Sequence, residues 1–164
     1  MRAVFVGRFQ PFHRGHHRVV QEYRDRYDEF VLAMGSPTVS RTPDNPLTAD
    51  ERREVIHACF PDLAVIEIQD EGPTEADNQR WAEKLGPTTG ADVVISQNDL
   101  VKRLVTEYTD LDLVEQDLYD PDRFSGTEIR RRIRDGDAWE DLVPACAHDT
   151  VTAYADIVRA TAND

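Results

Sequence analysis

A chain of 164 residues, 40% of them apolar, has the length of one ordinary domain, enough apolar material for a packed core and too much for a disordered chain. No apolar run approaches the roughly 20 residues that span a bilayer, and the amino end reaches Arg8 without the long apolar stretch of a secretory signal, so the expectation is a single cytoplasmic domain over residues 1–164 with no membrane partner. Nineteen basic residues against 32 acidic ones give a net charge of −13, which disfavours nucleic acid and anionic membrane alike, since both are polyanions.

In chain order, Arg2 to Val6 is a short β-branched and aromatic run that reads as a strand, and His16 to Tyr27 reads as a helix. Phe30 to Met34 is a second buried strand, closed by Gly35-Ser36-Pro37. Thr48-Ala49-Asp50-Glu51 is a capping box that opens a helix running to about Phe60. A strand from Leu63 to Ile68, a helix around Asp77 to Leu85, a strand from Asp92 to Ser96 and a helix from Leu100 to Glu107 follow, and Leu111 to Gln116 is a candidate last strand. Ser125-Gly126-Thr127-Glu128 is a second capping box, starting a helix that Gly136 ends, and Thr150 to Ala160 is a terminal helix. Strands alternating with helices indicate βαβ units: an α/β fold with a Rossmann-like, doubly wound parallel sheet flanked by helices. Ligands on such sheets sit at the carboxyl ends of the strands, which directs attention to the loop after the first strand.

That loop reads Gly7-Arg8-Phe9-Gln10-Pro11-Phe12-His13-Arg14-Gly15-His16. It is neither a dinucleotide fingerprint nor a P-loop. His13 and His16 stand three residues apart at a helix start, on one face of the first turn. Gly15 removes a Cβ where a ligand must come close to backbone, the helix amino end adds N–H groups and a positive dipole, and Arg8 adds a cation. Together these suit a triphosphate. The competing readings are a surface histidine pair or half a zinc site, and His17, His57 and His148 offer no spacing that completes the latter. At the second capping box, Ser125 caps, Gly126 and Thr127 open the helix, Thr127 can offer a hydroxyl or amide to phosphate, and Arg130 lies one turn on. Arg131, Arg132 and Arg134 extend the cationic cluster, with a solvated face neutralising nearby aspartates as the alternative.

The stretch Gly7 to His16 resembles the H-x-G-H signature of the nucleotidyltransferase superfamily, and as GRFQPFHRGH it looks like the archaeal nicotinamide-nucleotide adenylyltransferases. Ser125-Gly126-Thr127-Glu128-Ile129-Arg130 resembles the family's I-S-x-T-x-x-R, with Phe124 in the aliphatic place, and Asn45 to Arg52 resembles a further block, N-P-F-T-A-G-E-R. The resemblance covers almost the whole chain. It implies a nucleotidyltransferase fold and transfer of AMP from ATP to nicotinamide mononucleotide (NMN), giving NAD and pyrophosphate by direct in-line attack. It implies Gly7, Arg8, Phe9, Gln10, His13, Gly15, His16, Ser125, Gly126, Thr127, Arg130 and Arg131 at ATP, with His13, His16, Arg8 and Arg130 catalytic. For the nicotinamide nucleotide it implies Asn78, Trp81, Asn98 and Arg52. Core packing is the rival reading for Trp81, as a salt bridge is for Arg52. Gln97 replaces the family's usual Gly. Mg2+ is expected on the triphosphate, held largely by water and phosphate rather than by the protein, and the family is commonly homo-oligomeric, often hexameric. The lack of a nucleophilic Ser or Cys beside a base agrees with direct attack. Relatives on the same fold that modify phosphopantetheine, flavin mononucleotide or glycerol phosphate are the nearest rivals, and a nucleotide-binding module without turnover is the rival of another class.

Cys59 and Cys146 lack C-x-x-C spacing, so the expectation is that neither a disulfide framework nor a cysteine zinc site organises the fold, in a reducing compartment. The charged residues are lopsided: 17 Arg against Lys84 and Lys102 alone, and 20 Asp against 12 Glu. This composition looks like adaptation to molar salt, where the Debye length falls to about 3 Å and self-repulsion is screened, with a simply acidic soluble protein as the alternative. Melting temperature is expected to fall when KCl is reduced from molar to millimolar, and an unchanged value would refute the salt-adapted reading.

Overall fold

Five of the apolar runs become one parallel sheet in the computed structural model, which describes residues 1–116 and 119–162. The elements run β1 (Arg2–Gly7), α1 (Arg14–Tyr23), β2 (Glu29–Gly35), α2 (Ala49–Cys59), β3 (Ala64–Ile68), α3 (Glu75–Thr89), β4 (Val93–Ser96), α4 (Asp99–Tyr108), β5 (Asp112–Glu115), α5 (Gly126–Asp135) and α6 (His148–Ala160). Single 3-10 turns lie at Arg24–Arg26, Glu140–Leu142 and Ala145–Ala147. The strand order is β3-β2-β1-β4-β5, every neighbouring pair is parallel, and the order reverses between β1 and β4, as the doubly wound reading requires.

By its internal contacts the chain forms two compact units. The first comprises residues 1–7, 21–36 and 64–118 and holds the sheet with α3 and α4. In its register Val4 faces Val31 on one side and Val94 on the other. These residues pack with Ala33, Ile68, Leu85, Ala91 and Val105 in one buried cluster, which is why the strands read as continuous apolar runs rather than alternating ones. The second unit comprises residues 8–20, 37–63 and 119–164 and holds the start of α1 together with α2, α5 and α6. Here α6 packs on α2 and on α5, and the turn at Ala145–Ala147 packs on α2.

Helix starts follow their caps. Thr48 forms the full capping box with Glu51. A third box, absent from the sequence reading, starts α3 at Glu75 rather than near Asp77: Thr74 Oγ1 accepts from the Asp77 amide while the Asp77 carboxylate accepts from the Thr74 amide. Aspartate does there what the sequence pattern reserves for Glu or Gln. At Ser125 only half the box forms. Ser125 Oγ accepts from the Glu128 amide, while the Glu128 carboxylate takes Arg131 and Arg132 instead. These two guanidiniums hold the Glu128 pKa down to about 2. Gly136 ends α5 in the left-handed region (φ +76°), as expected.

The cysteine expectation is corrected. Cys59, the last residue of α2, is disulfide-bonded to Cys146 in the turn at Ala145–Ala147, across a separation of 87 residues. Local spacing carries no signal for such a pair, since two distant segments of the second unit create it. Closing a loop of that length lowers denatured-state entropy by about 4–5 kcal/mol at most. Cys59→Ser is expected to cost about 2–5 kcal/mol of stability, read as a lower guanidinium midpoint. The variant's midpoint should not respond to reductant, whereas that of the wild type should fall.

Candidate functional site

The second unit brings the H-x-G-H loop, the Asn45 to Arg52 block and the Ser125 motif together, and Gln10 is where they meet. The Gln10 side chain pairs with the Leu47 backbone in both directions: its Nε2 donates to the Leu47 carbonyl at 2.9 Å and its Oε1 accepts from the Leu47 amide at 3.0 Å. The Gln10 carbonyl accepts from Arg130 at 2.8 Å. Gly126 permits this contact, and Gly15 makes room within its own turn. A Cβ on Gly126 would lie 2.6 Å from an Arg130 nitrogen and 3.1 Å from the Gln10 carbonyl oxygen. A Cβ on Gly15 would lie 2.8 Å from the His13 ring and 3.6 Å from Phe124 Cβ. The Gly15 expectation is thus refined: what comes close to that backbone is the His13 ring of the same turn.

His13 and His16 stack with ring centroids 3.7 Å apart. Phe12 lies 5.5 Å from the His16 ring on a nearly parallel plane, and Phe9 meets it edge-on at 4.9 Å. Phe9 is buried, with a positive φ of 56°, a conformation that costs a bulky residue on the order of 1–3 kcal/mol and clusters at functional sites. Phe12, fully buried, was not among the sequence candidates, although it sits inside the signature.

Apolar surroundings keep both imidazoles neutral. Burial pushes the His13 pKa down to about 3, and burial with the neighbouring His13 ring pushes His16 well below its ordinary value. Their tautomers follow from the backbone. The Gly15 amide donates to His13 Nδ1 at 3.0 Å, and the His13 amide donates to His16 Nδ1 at 3.2 Å. With each Nδ1 accepting, the ring proton belongs on Nε2, so both histidines carry an N–H at the outer nitrogen. The same bonds use two of the backbone donors at the start of α1 that the sequence reading reserved for a ligand.

Positive charge comes from arginine. Arg130 is buried; besides Gln10 it approaches Thr127 Oγ1 (3.4 Å) and the exposed Asp44 carboxylate (3.8 Å), and its Nε is buried without a partner. Burial chiefly, with the charges of Arg134 and Arg8, lowers its pKa. A buried guanidinium with an unsatisfied donor and another cation nearby is the environment that an incoming anion relieves. Gly126 and Thr127, the first residues of α5, have no carbonyl one turn back within the helix for their amides.

Other candidates are placed as follows. Arg8 is exposed and continues the chain from Gly7 at the end of β1. Arg52 is fully buried and donates to the Arg8 and Thr48 carbonyls, so it buttresses the loop. Arg131 is ion-paired with Glu128, Asp135 and Asp137. Arg134 is structural: it reaches the Pro43 and Val158 carbonyls. Asn78, Trp81 and Asn98 belong to the first unit. Trp81 is half-buried against its apolar cluster, Asn78 lies in the first turn and a half of α3, and the Asn98 side chain caps α4 by accepting from the Val101 amide. In the Asp70 to Asp77 stretch, Asp77 is occupied by the α3 cap and Asp70 accepts from the Ser36 hydroxyl.

No helix among the described residues is long and apolar enough to cross a membrane. Residues 4–132 match the Cytidylyltransferase-like family. The chain is 37% identical to a nicotinamide-nucleotide adenylyltransferase of Methanosarcina acetivorans, over 97% of this chain and 92% of that one. It is 35% identical to a protein of the same name from Halobacterium salinarum, over 96% and 89%. Its fold is similar to that of a bifunctional NMN adenylyltransferase/ADP ribose pyrophosphatase from Francisella tularensis, solved with AMP and a manganese ion, at a TM-score of 0.77 and 17% identity. The chain spans about half of that protein (51%).

A neutral buried histidine stabilises the fold above its unfolded pKa, and that contribution is lost as pH falls below about 6.5 toward about 3, because the unfolded chain then binds the proton that the fold refuses. Melting temperature is expected to drop between pH 6.5 and 5.5, where carboxylates barely titrate, and the double variant His13→Gln/His16→Gln should flatten that drop.

Proposed function

The chain belongs to the Cytidylyltransferase-like family, and from that premise we propose that it is a nicotinamide-nucleotide adenylyltransferase, joining ATP and nicotinamide mononucleotide into NAD with release of pyrophosphate. The hydrogen bond from Arg130 to the Gln10 carbonyl is the observation that carries the site assignment, because it brings two signatures 120 residues apart to one place. The curated relatives' names support the substrate pair.

The reaction needs little from its enzyme beyond placement. The 5′-phosphate of NMN is already an anionic nucleophile. One of its oxygens bonds to the α-phosphorus of ATP as the bond from that phosphorus to the bridging oxygen breaks, and the electron pair leaves on pyrophosphate. No base or covalent intermediate is required. The demand is to hold two anions together and to stabilise charge on the departing phosphates. In our reading the neutral His13 and His16 donate from Nε2 to the β- and γ-phosphates, while Arg8 and Arg130 supply the positive charge. Because the imidazoles are neutral across the physiological range, their donor capacity does not titrate there.

Divalent metal enters with the nucleotide. The donors gathered at the two signatures are imidazole N–H, guanidinium and backbone amide, which fit phosphate oxygen rather than a cation. Among the described residues, the metal-competent side-chain group lies elsewhere, at His17, Cys59 and Cys146. We therefore assign Mg2+ to the ATP substrate, and a solved relative containing manganese and AMP supports divalent metal at such nucleotides. Trp81 is assigned to the nicotinamide ring with Asn78 and Asn98 near it, Arg52 acts by fixing the Arg8 backbone, and Arg131 is the weakest ATP candidate because three carboxylates engage it. Residues 1–164 act as one nucleotidyltransferase domain, in a cytoplasmic homo-oligomer.

ATP, Mg2+ and NMN mixed with the protein in molar KCl should yield NAD. His16→Ala should lower turnover by about 10²–10³ with the circular dichroism spectrum kept. Adenylylation of flavin mononucleotide or phosphopantetheine alone would overturn the substrate assignment, and normal turnover in His16→Ala would remove the motif from the mechanism.

A further inference from the structure

One residue beyond the phosphate-facing pair, α1 carries His17, whose role the proposed reaction leaves unassigned. The tertiary structure places its imidazole with Cys59 and Cys146, so that one ligand atom from each lies within 4.8 Å of the other two. The three come from separate segments of the second unit: α1, the carboxyl end of α2 and the turn at Ala145–Ala147. His17 and Cys59 are half-buried and Cys146 is exposed. The His17 backbone is fixed by the α1 hydrogen bond from its amide to the His13 carbonyl (2.9 Å), and its ring lies 4.9 Å from that of Phe60.

We infer that, with the cysteines reduced, His17, Cys59 and Cys146 form a binding site for a thiophilic divalent cation of the zinc class, in which disulfide and metal compete for the same two sulfurs. Two soft thiolates and one imidazole are a donor set that Zn2+ prefers. Zn–S bonds of about 2.3 Å and Zn–N bonds of about 2.0 Å in a tetrahedron put donor atoms roughly 3.5–3.8 Å apart. The sulfurs must therefore part from their bonded separation, and the imidazole, whose ligand atom lies within 4.8 Å of both, must close by about 1 Å. The exposure of Cys146 leaves the fourth position open to water. The chemistry balances in two steps. A phosphine reductant gives two electrons to the disulfide and is oxidised to its oxide with oxygen from water, leaving two thiols. The cation then binds as both thiols release their protons to solvent. Either state ties the same segments: a sulfur–sulfur bond joins α2 to the Ala145–Ala147 turn when oxidised, and a metal joins both to α1 when reduced. The site is thus a redox-selected cross-link on the helix that carries His13 and His16.

The test uses the full chain, reduced with a phosphine, desalted without oxygen and titrated with Co2+ as a spectroscopic substitute for Zn2+. One equivalent is expected to bind with thiolate-to-cobalt charge-transfer bands and tetrahedral visible bands, and Zn2+ should displace it. The oxidised chain should show neither band. His17→Ala keeps both thiols and should bind at least about tenfold more weakly, a floor set by the loss seen on deleting outer-shell partners alone. A reduced wild type without thiolate–cobalt bands would overturn the proposal whatever the variants do. Equal affinity in His17→Ala would reduce the site to an adventitious dithiol and overturn it as well.

Discussion

The hydrogen bonds around Gln10 are the constraint on which the candidate site rests. Its amide side chain meets the Leu47 backbone through both its donor and its acceptor, and its carbonyl takes the Arg130 guanidinium. A buried amide that satisfies both ends on a distant backbone fixes register, because any shift would leave two buried polar groups unpaired. Three stretches far apart in sequence are held by one residue. Gly126 completes the arrangement by lacking the atom that would crowd the Gln10 carbonyl and Arg130, and Gly15 makes room for the His13 ring of its own turn.

Within that frame, burial divides the labour between histidine and arginine. A protonated imidazole would supply charge as well as a donor, but stacking on a second histidine between two phenylalanines removes that option and leaves neutral donors with a fixed tautomer. Arginine stays cationic under the same burial because its intrinsic pKa is so high. Charge and hydrogen-bond direction are thereby assigned to different side chains, and neither depends on pH in the physiological range.

The cross-linked corner of the second unit has a different logic. Ion pairs such as Arg131 with Asp135 and Arg159 with Asp156 are exposed, and exposed pairs contribute little individually. The bond between Cys59 and Cys146 instead acts on the denatured chain, and so remains effective when salt screens the surface. Its imidazole neighbour gives the same segments a second means of attachment.

Fold class, strand sequence, the Thr48 cap and the Gly136 stop could be read from the sequence because each is a local pattern: apolar runs, a capping tetrapeptide, a glycine in the left-handed region. The two signature stretches could be placed at helix starts for the same reason, since each is a short stretch opening a helix. What only the tertiary structure decided were relations between distant residues. Whether Glu128 closes its own cap depends on where Arg131 and Arg132 point. That Arg52 reaches the Arg8 carbonyl depends on the path of the Arg8 backbone. Whether two cysteines 87 residues apart can meet depends on the packing of α2 against the Ala145–Ala147 turn. Sequence spacing specifies geometry over a turn or two of helix, and beyond that only the packed core sets which groups come within bonding distance.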